Sequence, residues 1–388
     1  MHHSMERLWN GNYIKVWIAN FMLNFSFMIL TPLLPLYMSD TFSANRHTIG
    51  IVLSGYTVTA LLARSVSGYL VDSYPRKTVL LICFALFSSM FAGYFFTAYS
   101  LIVFALWRTL HGAPFGATTV ANSTMAIDVL PSSRRAEGIG YYGLSNNLAM
   151  AIGPTIGLYI YEHTSSYNLI FLLALFTGVM GFIINATLRV RERETTVRKQ
   201  KLSLDRFFLL SAWRLALSMT CFSFSYGILS TYLAIYGKEQ LGILGGAGLF
   251  FMLLSAGLIM SRLVGSRTLR NGKIVHNATI GVTISVFGYA LFASVHSLWA
   301  YYASALIIGL GNGHMFPAFQ NLFIQMAPAS QRGTANSTLL TSWDLGVGLG
   351  ILIGGAVSGA TSYGISFHVA WIVNLAGVII FYIWKKNM

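Results

Sequence analysis

Apolar residues gather into twelve long runs along the chain, separated by short polar breaks. The runs cover roughly 14–38, 48–71, 77–98, 101–127, 137–161, 167–188, 207–236, 246–265, 274–294, 297–326, 334–360 and 366–384. A helix needs ~20 apolar residues to cross a bilayer. Backbone polar groups in lipid must be satisfied within the segment, which favours helices over strands here. Frequent interior Gly and Pro are tolerated in such helices. The pattern predicts an all-α membrane protein of twelve transmembrane helices.

Composition sharpens this. The chain is 55% hydrophobic and 9% charged. A soluble protein of 388 residues needs far more polar surface to stay dissolved. The formal net charge of +14 would suggest nucleic acid in a soluble protein, but no nucleic-acid motif accompanies it. The distribution of the basic residues explains it instead. With the N-terminus placed inside, the inner loops hold Arg76, Lys77, Arg134, Arg135, the cluster from Arg189 to Arg206, Arg267, Arg270, Lys273, Arg332, Lys385 and Lys386. The outer loops hold Arg46 and Lys238. This positive-inside asymmetry predicts a multi-pass protein of the cell (inner) membrane with both termini cytoplasmic.

Cys83 and Cys221 lie inside apolar runs and read as small buried hydrophobes. No metal-ligand spacing, nucleophile–base set or phosphate loop is present, so neither an enzyme nor a metal or cofactor site is expected. The first residues, MHHSMERLWNGNY, lack a signal peptide's apolar core.

The longest polar stretch, RVRERETTVRKQK, begins at Arg189 near the chain midpoint. It divides the chain into an N-terminal six-helix bundle (1–188), a cytoplasmic linker (189–206) and a C-terminal six-helix bundle (207–388). The halves are repeats. At an offset of 197 residues Gly112 meets Gly309, Gly116 meets Gly313, Pro131 meets Pro328, Gly68 meets Gly265 and Gly153 meets Gly350. Parallel six-helix repeats, related by an axis along the membrane normal, are a transporter pattern.

Three motifs carry a resemblance that covers essentially the whole chain. GYLVDSYPRK (Gly68–Lys77), RTLHG (Arg108–Gly112) and AMAIGPTIGL (Ala149–Leu158) resemble signatures of the major facilitator superfamily, within it the twelve-helix drug:proton antiporters and efflux permeases. The resemblance implies two pseudo-twofold-related six-helix bundles and alternating access. Gly68, Asp72, Arg76 and Lys77 match the gating loop, with Ser73 and Pro75 departing from it. Asp72 can meet the start of the eleventh helix, and Arg76 can pair with Asp128. Gly153, Pro154 and Gly157 match the antiporter motif, although Ala149 and Leu158 replace its outer glycines.

The resemblance assigns Arg108 to proton coupling. Asp344 is an acid about ten residues into the eleventh helix, and its repeat partner is Asn147. A buried acid there can take up and release a proton as access alternates. His111 and His314 are further titratable candidates. By analogy helices 1, 4, 7 and 10 line the cavity, making Asn20, Asn24, Phe27, Arg108, His111, Tyr226, Tyr232, His314 and Phe319 substrate contacts, with Asn147 and Trp343 near the axis. The expectation is a monomer, surrounded by lipid, that exports a small amphipathic molecule by proton antiport. A proton-coupled sugar or metabolite importer and a lipid flippase are the alternatives.

Overall fold

The computed structural model describes residues 7–131, 135–190, 208–243, 246–270, 273–327 and 332–387; within these, side chains of several helix-end residues, including Gly68, Asp72 and Arg135, lie outside the description. The linker reading for 189–206 falls almost wholly on residues outside it. Among the described residues the chain is helical throughout, with no strand.

Thirteen α-helices are described: α1 (Gly11–Met28), α2 (Leu34–Phe42), α3 (Arg46–Ser73), α4 (Arg76–Gly93), α5 (Leu101–Val129), α6 (Arg135–Thr164), α7 (Tyr167–Ala186), α8 (Trp213–Gln240), α9 (Gly246–Arg270), α10 (Ile274–Ser294), α11 (Leu298–Met326), α12 (Arg332–Ala360) and α13 (Tyr363–Lys386). They make twelve spans, because α1 and α2 share the first. That span, read as one helix over 14–38, breaks at residues 29–33. Pro32 and Pro35 remove two backbone donors there. With twelve spans both termini fall on one side, called here the termini side. Helix starts on the far side are capped by Asn45, Ser100, Ser166 and Ser362, whose side chains accept from the amides of Thr48, Val103, Leu169 and Ile365.

Among the described residues five helices are long and apolar enough to cross a membrane, by length and composition alone: Arg76–Phe96, Tyr167–Ala186, Ile274–Ser294, Thr338–Ala360 and Tyr363–Lys386. Four of these are α4, α7, α10 and α13, every third span. The repeat marks the peripheral helices. The other spans mix apolar with small and polar residues because one face packs toward the interior. Outward-facing side chains such as Leu62, Val66, Leu86 and Leu106 are more than half exposed, which costs nothing against lipid.

The structure refines the repeat. A side chain at Gly112 would meet the Tyr56 carbonyl, and one at Gly116 the Ala60 carbonyl. At Gly309 and Gly313 the corresponding carbonyls are those of Leu254 and Leu258. The glycines are 197 residues apart, whereas Tyr56 and Leu254, like Ala60 and Leu258, are 198 apart. One extra residue therefore precedes this stretch of α9 relative to α3. Carried about two turns further, this offset sets Gly265 against Ser67, not Gly68 as the uniform offset predicts.

Candidate functional site

The two halves meet along α3 with α12 and along α6 with α9. On the far side, Gly50 lies so close to α12 that an added Cβ would come 2.8 Å from the Gly355 Cα. Arg46 pairs with Glu239 at 2.8 Å, donates to the Ser358 carbonyl at 3.2 Å and lies over the Tyr363 ring. Lys238 lies 3.5 Å from Asp40, which also accepts from Tyr161 (2.6 Å) and Tyr167 (2.8 Å). Thr155 donates to the Gly248 carbonyl at 3.0 Å. Deeper in, the Tyr226 hydroxyl reaches Met150 Sδ at 2.8 Å.

Asp40 emerges at the end of α2. Its burial favours the neutral form, but hydrogen bonds from Tyr161 and Tyr167 and the Lys238 charge outweigh that and hold its carboxyl below the usual aspartate range. A depressed value stabilises the contact at every pH above about 3.9, and the contribution is lost only as pH falls below it. With Asp344 replaced by Asn, so that the interior acid cannot titrate, spin labels at Ala44 and Thr361 are expected to keep one distance distribution from about pH 8 to pH 4 and to broaden below about pH 4. Broadening already near neutrality would assign the far-side closure to another group.

In the interior, Asp344 Oδ2 lies 2.5 Å from Arg64 Nη1, joining α12 of one half to α3 of the other. Both side chains are largely buried, at 12% and 17% exposure. Every contact between halves named here lies at this level or beyond it toward the far side.

Sequence reading missed Arg64. The signal was available, since an arginine inside the apolar run of α3 raises the same question as Arg108. Arg108 itself is 2% exposed. Its guanidinium lies 4.6 Å from the Tyr56 ring centroid and 5.0 Å from that of Phe27, and donates to the Tyr94 hydroxyl at 3.4 Å. Aromatic faces stabilise a desolvated cation without neutralising it.

The other predicted residues divide into three groups. Asn20 and Asn24 join Asn146 at 2.6 and 2.9 Å, and Asn20 also receives the Tyr142 hydroxyl at 2.7 Å. Phe27 stacks on Phe115 beneath Arg108, and Trp343 packs between Tyr226 and Phe316. The contacts of Asn20, Asn24 and Phe27 lie within the N-terminal half, and those of Trp343 within the C-terminal half. His111 sits between the Tyr94 hydroxyl (3.0 Å) and the Phe87 carbonyl (3.2 Å), both its ring nitrogens engaged within the N-terminal half.

Three residues are placed elsewhere than their cavity reading implied. His314 turns to Asn277 of α10 at 2.9 Å, inside its own half. Phe319 is fully buried between Phe222 and Phe381 in the core of that half. Tyr232 donates to the Ile351 carbonyl at 2.6 Å beside Gly50 and Gly355, in the far-side seal. In each case the helix was assigned correctly but the rotation of the residue about it was not.

On the termini side Arg76 forms an ion pair with Asp128, and Lys77 donates to the Leu188 carbonyl at 2.8 Å. Gly68 and Asp72 lie on the last turns of α3, at the end nearer the start of α12. Gly153 and Gly157 receive the α1–α2 break: a Cβ at Gly153 would come 3.1 Å from the Ile29 amide, and one at Gly157 2.6 Å from the Ile29 carbonyl. Pro154 lies inside α6 between them.

The sequence pattern of the Major Facilitator Superfamily matches residues 16–346, and again 278–387. The chain belongs to this superfamily. It is a membrane transporter, which accounts for two bundles meeting around charged residues. Among similar proteins of Staphylococcus aureus, quinolone resistance protein NorA is 23% identical over 394 residues, 97% of each chain. Staphylopine export protein is 23% identical over 355 residues, 87% of each. The same superfamily fold recurs in a bacterial homologue of the human lysosomal transporter Spinster, in an inward-facing and occupied conformation (TM-score 0.77, 14% identity, 97% of this chain and 96% of that one). It recurs also in the nucleoside transporter NupG (TM-score 0.73, 17% identity, 97% and 99%).

Proposed function

We propose that this superfamily member exports a small amphipathic molecule across the cell membrane by proton antiport, with the termini side facing the cytoplasm. The Arg64–Asp344 pair carries the reading. It sets a titratable acid where the two halves must separate for access to alternate. Protonation of Asp344 removes one charge of the pair and weakens the link between halves. Deprotonation restores it, so proton occupancy biases the conformational equilibrium. The far-side contacts then belong to a state that opens to the cytoplasm. Export is supported by the two bacterial relatives, named for drug resistance and for export, and by the Gly153-Pro154-Gly157 motif.

The Arg76–Asp128 and Lys77–Leu188 contacts tie α4 to the cytoplasmic ends of its own half. With Asp72 they form the proposed gate that holds that side shut when the far side opens. Arg76→Ala is expected to reduce transport about tenfold at unchanged expression, because an exposed pair of this kind contributes only ~0–1 kcal/mol to folding. Wild-type transport in this variant, at limiting and saturating substrate alike, would remove Arg76 from the gate.

The direction of coupling is tested in proteoliposomes. A ligand that raises the thermal stability of the purified protein supplies the probe. Added outside proton-loaded vesicles carrying a luminal pH dye, it is expected to release luminal protons as it enters. Protons entering together with the ligand would show symport instead.

A further inference from the structure

We infer that the transported molecule carries an anionic group, and that Arg262 on α9 and Asn147 on α6 hold it. The inference rests on the transport reading above. It starts from the one-residue shift of the repeat. Across the interface of α3 with α12, Arg64 faces Asp344. At the 198-residue offset fixed by Tyr56–Leu254 and Ala60–Leu258, the counterpart of Arg64 is Arg262. At the 197-residue offset of the neighbouring helices, the counterpart of Asp344 is Asn147. The same correspondence sets Gly50, at the α3–α12 contact, against Gly248, which faces Thr155 at the α6–α9 contact. The second interface is therefore a copy of the first in which the carboxylate has become an amide.

The copy is electrically incomplete. Arg262 Nε and Asn147 Nδ2 are both buried without a hydrogen-bond partner among the described residues, as are Arg64 Nε and Arg108 Nε, but Arg64 has the Asp344 ion pair and no such pair is described for Arg262. A guanidinium keeps its charge at any working pH, and an amide cannot neutralise it. A buried donor without an acceptor is costly. The described interior thus holds three guanidiniums, on Arg64, Arg108 and Arg262, against the single carboxylate of Asp344. A carboxylate, sulfonate or phosphate on the substrate would accept from both Arg262 and Asn147, in the place that Asp344 takes opposite Arg64. Charge-assisted hydrogen bonds of this kind are the strong ones. The Tyr226, Trp343 and Phe316 rings, packed on one another and reaching α6 through the Tyr226–Met150 contact, suit an apolar body attached to that anion.

The test uses the full-length protein in lipid nanodiscs and matched triads of one size and shape: 1-naphthoate, 1-naphthamide and 1-naphthylmethylammonium, and the same three head groups on phenyl and octyl bodies. Binding is followed by tryptophan fluorescence. The wild type is expected to bind the carboxylates about tenfold tighter than the amides, and tighter still than the ammonium members. Arg262→Gln and Asn147→Asp should each bring the carboxylate-to-amide ratio to about one. Asn147→Asp also supplies the missing carboxylate, so its melting temperature should lie above that of Asn147→Ala. Equal or preferred binding of the amide or ammonium members by the wild type would overturn the inference while leaving transport standing. So would an Asn147→Asp protein that keeps the tenfold preference or melts below Asn147→Ala. If no triad member binds the folded wild type, the inference falls, while membership of the transporter superfamily stands.

Discussion

Asp344→Asn is expected to abolish proton-driven transport while energy-independent exchange of substrate persists. The asparagine mimics the protonated acid, so the halves lose a charge-dependent link that no longer responds to pH. A second effect follows from the partner. Arg64 is left as a buried cation without its counter-charge, and breaking such a pair costs about 3–5 kcal/mol. The variant should therefore be less thermostable than the wild type. Arg64→Gln should be destabilised in the same way, leaving a buried carboxylate alone. The double variant, Arg64→Gln with Asp344→Asn, removes both charges and should recover much of the lost stability without recovering coupling. That split decides the role. If the double variant regains stability and also drives substrate uphill on a proton gradient, the pair is structural and coupling resides elsewhere, with Arg108 the next candidate. If the two single costs simply add, the side chains do not act as a pair.

The second large effect is expected at the far-side seam. Gly50→Leu or Gly355→Leu places a branched side chain where an added Cβ on one glycine lies within 2.8 Å of the other's backbone. Neither backbone can yield without moving a whole half. Overpacking of this kind costs about 1–3 kcal/mol, and here the cost falls on the closed far side alone. A bias of that size shifts the equilibrium about 5–150-fold toward the alternative state. Transport should fall by more than about tenfold, while spin labels at Ala44 and Thr361 move apart. Gly50→Ala, with less to accommodate, should show the same change in smaller measure. Unchanged label distances in the leucine variants would mean that this seam does not open during the cycle.

The rotational misreadings of Tyr232, His314 and Phe319 share a cause. A sequence places a residue at a depth along its span much better than it places the residue around the helix. Depth accumulates at 1.5 Å per residue, whereas each residue turns the side chain by about 100°. An error of one position scarcely changes depth but moves a side chain from the central interior to the packing between neighbours. Phe319 shows this well. Its span was expected to line the interior, and the residue itself turns into the core of its own half between Phe222 and Phe381.

What the sequence determined by itself is the material of a membrane transporter. Twelve apolar runs match the thickness of a bilayer, because lipid leaves the backbone no partner but itself. The duplicated glycines, the basic loops and the acid at 344 are properties of local composition, and local composition is what a sequence displays. The tertiary structure alone decided which charges meet. That Asp344 faces Arg64 depends on the register of helices from different halves, and that Arg108 rests on the Phe27 and Tyr56 rings depends on the rotation of helices within one half. A single residue gained ahead of α9 leaves the hydropathy of that helix unchanged. It nevertheless turns Arg262 into the place of Arg64, because the repeat is kept by backbone packing at glycines and not by the numbering of the chain.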